Sequence, residues 1–379
     1  MLKDKSNFNP LDLLDTEKEE SPFFPLSILV KRAEGCCLFD ENDNKYIDFT
    51  SNRENQPFGY SKININPDYS FFDSILCNSN ESLKLKKYFQ DLTGLEEVYF
   101  SSSQRESYVI LNNLIEDYLN KVRKTKMLVS STNQDFFKIN NIKIDVINLN
   151  VDTTTRSVFT RDVGVVIIEP VQINNGILIA NNEYLKYMRY LCDKNDAVLV
   201  FDVSSISPLR LLKSFLNYDI SIKPDILIVS KGMSQGIPFG AVVVSDKISG
   251  NILKNPETGT NSLAYELALK FIDDYKNNEL TKIISDEAKY FEKKLNELAE
   301  NHISIVDVQS YGMLFFVVLD ISAYELANGC FSKGIILEPI NSNTIMLSPS
   351  YITGMEEIDH LSNVLDNLLD KLANFDRLH

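Results

Sequence analysis

The sequence holds no tryptophan and only three histidines in 379 residues: His302, His360 and His379. So few histidines, all beyond residue 301, leave little room for a histidine-rich metal site or a Ser-His-Asp triad, and no metal centre is expected. Cysteine is also sparse. Cys36, Cys37, Cys77, Cys192 and Cys330 form no C-x-x-C pair and are odd in number, which predicts reduced thiols and a cytoplasmic protein rather than a disulfide framework. Positive charge is short: 38 Lys and Arg against 53 Asp and Glu leave a formal charge of −15. Phosphate backbones and anionic membrane surfaces would be repelled, so neither is expected as a partner. No apolar run approaches the ~20 residues of a membrane span, and the polar start "MLKDKSNFNPLDLLDTEKEESPFFP" has no apolar core of a secretory signal.

What is present is a 44% hydrophobic chain, long enough for more than one subdomain. After a polar arm, "CCLFD" and "KYIDF" read as strands around the turn "ENDN". From about residue 85 to 250 helical and strand patterns alternate. "LVSS", "VINLN", "VGVVIIEP", "AVLVFDVS", "DILIVS" and "AVVVSD" are short Val/Ile/Leu runs, whereas "RESYVILNNLIEDYLNKV" and "EYLKYMRYLCDKND" have helical spacing. Apolar strands alternating with helices predict an α/β fold with a mainly parallel sheet covered on both faces. A charged helical stretch follows, with turns expected at its Asn-rich points, and then strands and a final helix that predict a small α+β subdomain. The division expected is 1–60 (arm and small-subdomain strands), 61–255 (large α/β domain) and 256–379 (interdomain helix and C-terminal subdomain).

Ligand sites in open α/β sheets lie beyond the carboxyl ends of the strands. Four polar groups stand there. Asp202 closes "VLVFD", Glu169 closes "VGVVIIE" with Gln172 beyond it, three serines follow the strand in "EVYFSSSQRESY", and Lys231 follows "DILIVS". Each has an ordinary structural reading on its own. A strand-end Asp caps helices or forms turns, serines make loops, and lysines are solvated. Their order along one sheet says more.

That order resembles the class III aminotransferases, the acetylornithine/ornithine-type family of pyridoxal-phosphate enzymes. "KPDILIVSKGMSQGIPFGAVVVS" is similar to the family's lysine segment x-P-D-I-x-x-x-A-K-G-x-x-x-G-x-P-x-G-A, "IIEPVQINNGI" to E-P-V-Q-G-x-G-G, and "KYIDFTSN" to Y-x-D-F-x-S-G. "VLVFDVSSIS" lies where the family has D-E-V-Q-T-G, and Asp202 precedes Lys231 by 29 residues. The resemblance spans residues 22 to 372. It implies the fold type I architecture of aspartate aminotransferase, a homodimer, pyridoxal 5'-phosphate as cofactor, and transamination between a small-molecule amino donor and a keto acid acceptor.

The resemblance also implies roles. Lys231 is the Schiff-base lysine and proton carrier, and Asp202 is the partner of the ring nitrogen. Ser102, Ser103 and Gln104 hold the phosphate at a helix N-terminus, with Thr258 or Thr260 reaching it from a second subunit. Ser205 touches the cofactor ring, and Glu169 and Met346 lie against substrate. Departures accompany the match. The phosphate-loop glycine is Ser103 and its first acid Arg105. Gln134 and Asp135 fall near the aromatic–His–Gly segment, with Phe136 as a substitute ring if the register slips. Val203 and Ser205 replace the Glu and Gln of D-E-V-Q, and Met346 replaces an arginine that grips the substrate carboxylate. Losing a bidentate carboxylate clamp removes an interaction on the order of two charged hydrogen bonds. Three activities stay open on this reading: an aminotransferase with altered substrate recognition, a degenerate homologue that binds cofactor or a partner without turnover, and a decarboxylase or aminomutase on the same cofactor.

Overall fold

The computed structural model describes residues 28–60, 78–173, 176–249, 259–276 and 278–376. Strands β1 (Val30–Glu34), β2 (Cys37–Asp40) and β3 (Lys45–Asp48) form an antiparallel meander, with the expected turn between β2 and β3. A single short turn follows, α1 (Ser51–Glu54), then α2 (Asn80–Thr93), β4 (Glu97–Ser101), α3 (Gln104–Val122), β5 (Lys126–Ser130), β6 (Lys143–Val146), α4 (Asp152–Val158) and β7 (Val163–Ile168). A two-stranded hairpin, β8 (Val171–Ile173) and β9 (Ile177–Ile179), precedes α5 (Asn182–Lys194), β10 (Val198–Asp202), β11 (Ile226–Val229), β12 (Gly240–Val244) and α6 (Asp246–Ser249). The C-terminal part comprises α7 (Ser262–Tyr275), α8 (Asn278–Asn301), β13 (Ile305–Tyr311), β14 (Leu314–Leu319), α9 (Ala323–Phe331), β15 (Ile335–Ile336), β16 (Glu338–Asn341), β17 (Thr344–Leu347) and α10 (Met355–Asp376).

The large sheet has seven strands in the order β4-β12-β11-β10-β7-β5-β6. β11, β10, β7, β5 and β6 are mutually parallel, and β12 runs antiparallel to both its neighbours. The continuous apolar runs have a simple cause. Val166, Ile168, Leu199, Phe201, Leu227 and Val229 face one buried cluster, together with Phe89 of α2, Met188 of α5 and Phe271 of α7. Their alternates Val165, Ile167, Val198, Val200, Ile226 and Ile228 face another, with Ile110, Leu114 and Tyr118 of α3. A strand covered on both faces has no polar side to show, which is the period-two rule of strands applied to two cores.

The small C-terminal sheet, β13-β14-β17-β16, is antiparallel. It packs on α8, α9 and α10 through Phe291, Phe315, Leu326 and Leu361. The long charged stretch divides into α7 and α8 between Tyr275 and Asn278, at one of its Asn-rich points. Two details differ from the sequence expectation. The strand expected in "VINLN" lies earlier, at Lys143–Val146, while Ile147 and Leu149 anchor the following loop in the core. And β15 joins β3 in parallel, so the two ends of the described chain share one sheet.

Candidate active site

The carboxyl ends of β5, β10 and β11 open onto a cleft of about 330 Å³. Lys231 enters it because the chain turns immediately after β11. Gly232, at φ +76°, lies so close to Ser207 that a Cβ there would run into its side chain, and the Lys231 N–H donates to the Ser204 carbonyl at 3.3 Å. Only glycine takes this left-handed geometry without strain in so tight a space. Burial of the Lys231 amine lowers its pKa, with Glu54 and Glu338 opposing that shift and Arg53 adding to it.

Around the amine stand Gln104 from the first turn of α3, Thr132 and Asn133 after β5, and Ser205 after β10. Arg53 and Glu54 from α1 close another side, with Glu338, Pro339 and Ile340 of β16 and Met346 of β17. Hydrogen bonds tie the first group together: Asn133 Nδ2 donates to Ser205 Oγ at 2.9 Å, and Gln104 Nε2 donates to Ser204 Oγ at 2.8 Å and to Tyr108 Oη at 2.9 Å.

Asp202 lies one layer behind this wall and is fully buried. Its Oδ2 accepts from Tyr108 Oη at 2.9 Å, and its Oδ1 accepts from the Ser204 N–H at 3.1 Å and from Ser204 Oγ. Burial, reinforced by the nearby Glu169 carboxylate, pushes its pKa up to about 7, and no cation is among the groups that shift it. Glu169 carries the loop after β5. Its Oε2 accepts from Thr132 N at 2.7 Å, Thr132 Oγ1 at 2.6 Å and Ser131 Oγ at 3.1 Å. At the N-terminus of α3, Ser103 Oγ accepts from the Glu106 N–H at 3.2 Å, while Glu106 Oε2 accepts from the Ser102 N–H at 2.6 Å. The helix end is thus capped in part by a carboxylate of its own first turn.

The opposite wall rests on an unusual backbone. Ser51, Asn52, Arg53 and Glu54 all have positive φ, from 48° to 72°. Four left-handed non-glycine residues in a row cost roughly 1–2 kcal/mol each, so the surroundings must hold them. Asp48 accepts from the Asn52 N–H and from the Thr50 N–H, both at 2.7 Å, and Tyr60 Oη braces Asp48 at 2.6 Å. Glu54 is buried against Arg210, which is wholly inaccessible. Arg210 Nε donates to Glu54 Oε2 at 3.1 Å and its Nη2 lies 3.0 Å from Oε1. Arg210 Nη1 donates to the carbonyls of Met313 and Pro349. Arg53 points into the cleft and pairs with Glu338, Nε to Oε1 at 2.8 Å.

Of the residues singled out from sequence, Lys231, Gln104, Ser205 and Met346 line this cleft. Asp202 and Glu169 support its wall from behind and are not part of the lining. Ser102 and Ser103 sit outside the lining, where Ser102 Oγ donates to the Gly259 carbonyl at 2.7 Å. Thr260 is buried with its hydroxyl on the Pro238 carbonyl at 3.1 Å, and Thr258 lies outside the described residues. One expected register is corrected. Thr132 and Asn133, not Gln134 and Asp135, reach the cleft, because Glu169 draws the loop in by Thr132. Phe136 is no substitute ring there: it stacks on the outer side of Tyr108, with centroids 5.4 Å apart, and is 40% exposed. Sequence reasoning missed Arg53, Glu54, Tyr108, Arg210 and Glu338. The one signal was Asn52, an αL-tolerant residue standing at a family glycine.

Comparison with known proteins settles the family. The profile described as Aminotransferase class-III matches residues 112–369, more than half of the chain. The chain belongs to the class III aminotransferases. Its similarity to individual family members is low, and to some of them it extends along nearly their whole length. It is 24% identical to the acetylornithine aminotransferase of Clostridium acetobutylicum, over 90% of this chain and 96% of that one. It is 25% identical to the acetylornithine aminotransferase of Methanocaldococcus jannaschii, over 92% and 94%. Among solved structures, the acetylornithine aminotransferase of Elizabethkingia anophelis superposes with a TM-score of 0.80 at 20% identity, covering 95% of this chain and 97% of that one. Family members are transaminases that use pyridoxal phosphate.

The residues present fit that cofactor at its reactive end. A desolvated amine stands in the cleft, and behind the wall lies a buried carboxylate with no cation beside it, the charge that a protonated pyridine nitrogen would supply. The fit is poorer at the phosphate end, where Glu106 places a carboxylate on the Ser102 N–H. The cleft also has Thr132 and Asn133 where the resemblance leads one to expect a stacking ring.

Proposed function

We propose that this chain is an aminotransferase acting on an amino acid or ω-amino compound of the acetylornithine/ornithine type, with a keto acid as acceptor, working as a cytoplasmic homodimer. The observation that carries the reading is the position of Lys231: a residue at the mouth of the parallel strands whose amine has its pKa lowered by desolvation. Pyridoxal phosphate, when bound, supplies an aldehyde and an electron-accepting ring. Lys231 Nζ is the amine that binds the aldehyde. When free, it would be the group placed to carry the substrate proton, because desolvation lowers its pKa and eases its deprotonation. Asp202, oriented by Tyr108 and Ser204, would be the carboxylate that favours a proton on the ring nitrogen. Gln104, Asn133 and Ser205, joined by their own hydrogen bonds, would hold the polar edge of the ring. Pro339, Ile340, Ile173 and Met346 exclude water from the reacting side.

The test is an absorbance titration. Adding pyridoxal phosphate to the protein should produce a near-visible band that Lys231→Ala abolishes, and a panel of amino donors should then bleach it. A protein that develops no band would overturn the cofactor chemistry. A band that no donor bleaches would favour the second reading, a cofactor-binding homologue without turnover, to which Glu106 at the helix N-terminus already points.

A further inference from the structure

Two neighbouring cysteines stand behind the cleft wall, outside the cofactor chemistry. Gly35 and Cys36 turn β1 into β2, Cys37 opens β2, and both cysteines are buried. Neighbouring side chains of a strand point to opposite faces, but this turn brings the two Sγ atoms within 3.7 Å of each other. The hydrogen bond between the sulfurs lowers the Cys37 thiol to about 7, with burial opposing and Lys45 helping, and it raises that of Cys36. A thiolate thus stands against a thiol, the combination from which disulfides form. Cys192 and Cys330 differ: both are wholly buried, and burial pushes their thiols up to about 12. The backbone here also supports the cleft. The Cys36 carbonyl accepts from the Asp48 N–H at 2.8 Å, and Gly35 exchanges hydrogen bonds of 2.9 and 2.6 Å with Tyr60. Asp48, braced by Tyr60, in turn holds the left-handed turn that carries Arg53 and Glu54 into the cleft wall.

We propose that Cys36 and Cys37 are a reversible oxidation site, closed to a disulfide by a peroxide, and that closure releases this part of the cleft wall. The Cys37 thiolate attacks one oxygen of hydrogen peroxide, the O–O bond breaks, and the other oxygen leaves as hydroxide, which a proton from solvent converts to water. Cys36 then gives up its proton, attacks the sulfenic sulfur and expels a second water. In sum, two thiols and one peroxide give one disulfide and two waters; the sulfurs lose two electrons and the peroxide oxygens gain them. Burial selects the oxidant, because a small peroxide reaches covered sulfurs that a bulky disulfide such as oxidised glutathione does not. The ring so formed contains the Cys36–Cys37 peptide group itself. Drawing the sulfurs from 3.7 Å to a bond of about 2 Å turns that group, and its carbonyl leaves the Asp48 N–H. Neighbouring Cα atoms stand about 3.8 Å apart, short of the ~4.4–6.8 Å usual for a bridged pair, so the ring is readily reduced again.

The experiment treats the full chain with a small excess of hydrogen peroxide, alkylates the remaining thiols and digests with trypsin. Both cysteines fall in one peptide, residues 33–45. That peptide should emerge lighter by two hydrogens and unalkylated at both positions, and dithiothreitol should restore two alkylatable thiols. Oxidised glutathione should leave it unchanged. Cys36→Ser should instead trap added oxygen on Cys37, and thermal melting checks that the variant folds. In the oxidised protein, amide hydrogen exchange should show loss of protection across residues 49–60, where Asp48 holds the Thr50 and Asn52 N–H groups, and dithiothreitol should restore it. Peroxide that leaves both thiols alkylatable, adds oxygen without closing the ring, or links either cysteine to Cys77 would overturn the proposal. A ring that forms without altered exchange at 49–60 would overturn the release of the wall. Neither readout involves Lys231 or the cofactor, so failure here leaves the aminotransferase reading standing, and a protein without a near-visible band leaves this one standing.

Discussion

Glu106 is the residue at which this chain departs most from what a phosphate-binding helix end requires. Its carboxylate sits on the Ser102 N–H at 2.6 Å, at the positive end of the α3 dipole, which is also where a dianionic phosphate would be drawn. Two like charges compete for one cluster of N–H groups. Glu106→Ala is therefore expected to tighten binding of pyridoxal phosphate by about tenfold, read from the concentration dependence of the near-visible band. It should also cost about 0.5–1 kcal/mol of stability through the lost charge at the helix end. A variant that binds the cofactor no better would show that the phosphate does not approach this helix end.

The turn at Ser51–Glu54 shows how an element can be specified from far away. Apart from Asn52, nothing in "SNRE" favours left-handed residues, and the run persists because Asp48, braced by Tyr60, holds the Asn52 N–H and Arg210 holds the Glu54 carboxylate. Arg210 in turn binds the Met313 and Pro349 carbonyls of the C-terminal part, so one guanidinium joins three stretches distant in sequence. Arg210→Met removes the partner of a buried Glu54 and should destabilise the protein by about 3–5 kcal/mol, measured by denaturant unfolding. Adding Glu54→Gln should recover part of that loss, since the stranded charge is then gone. If the two changes were merely additive, the pair would not be what holds the turn.

At the scale of the whole molecule, Asp202 ties stability to pH. Its pKa stands near 7 in the folded chain against an ordinary 3.8. Between those values the unfolded chain has released the proton that the folded chain still holds. The contribution of this group to stability is therefore complete below about pH 4 and lost as pH rises through about 7. Asp202→Asn has no proton to lose. In cofactor-free protein its melting temperature should gain on that of the unmutated chain as pH rises from 5 to 8, and a constant difference would refute the assignment. A bound cofactor cation beside Asp202 should shrink the difference, because it favours the ionised carboxylate.

The sequence alone determined most strands of the large sheet, the fold class and the line of polar groups at the strand ends. Those features are local: an apolar run such as "VGVVII" has no polar face to offer, and a lysine before a left-handed glycine must leave the strand. It also carried the family, through the Lys231 and Glu169 segments. Only the tertiary structure decided which of the polar residues share a cavity. It set Asp202 and Glu169 behind the wall, brought Thr132 and Asn133 into it, and joined Arg53 to Glu338 across 285 residues. Side chains that meet only after β3 and β15 pair, and after Arg210 is buried, follow no spacing along the chain. Their positions follow from closing the two ends of the molecule on one another.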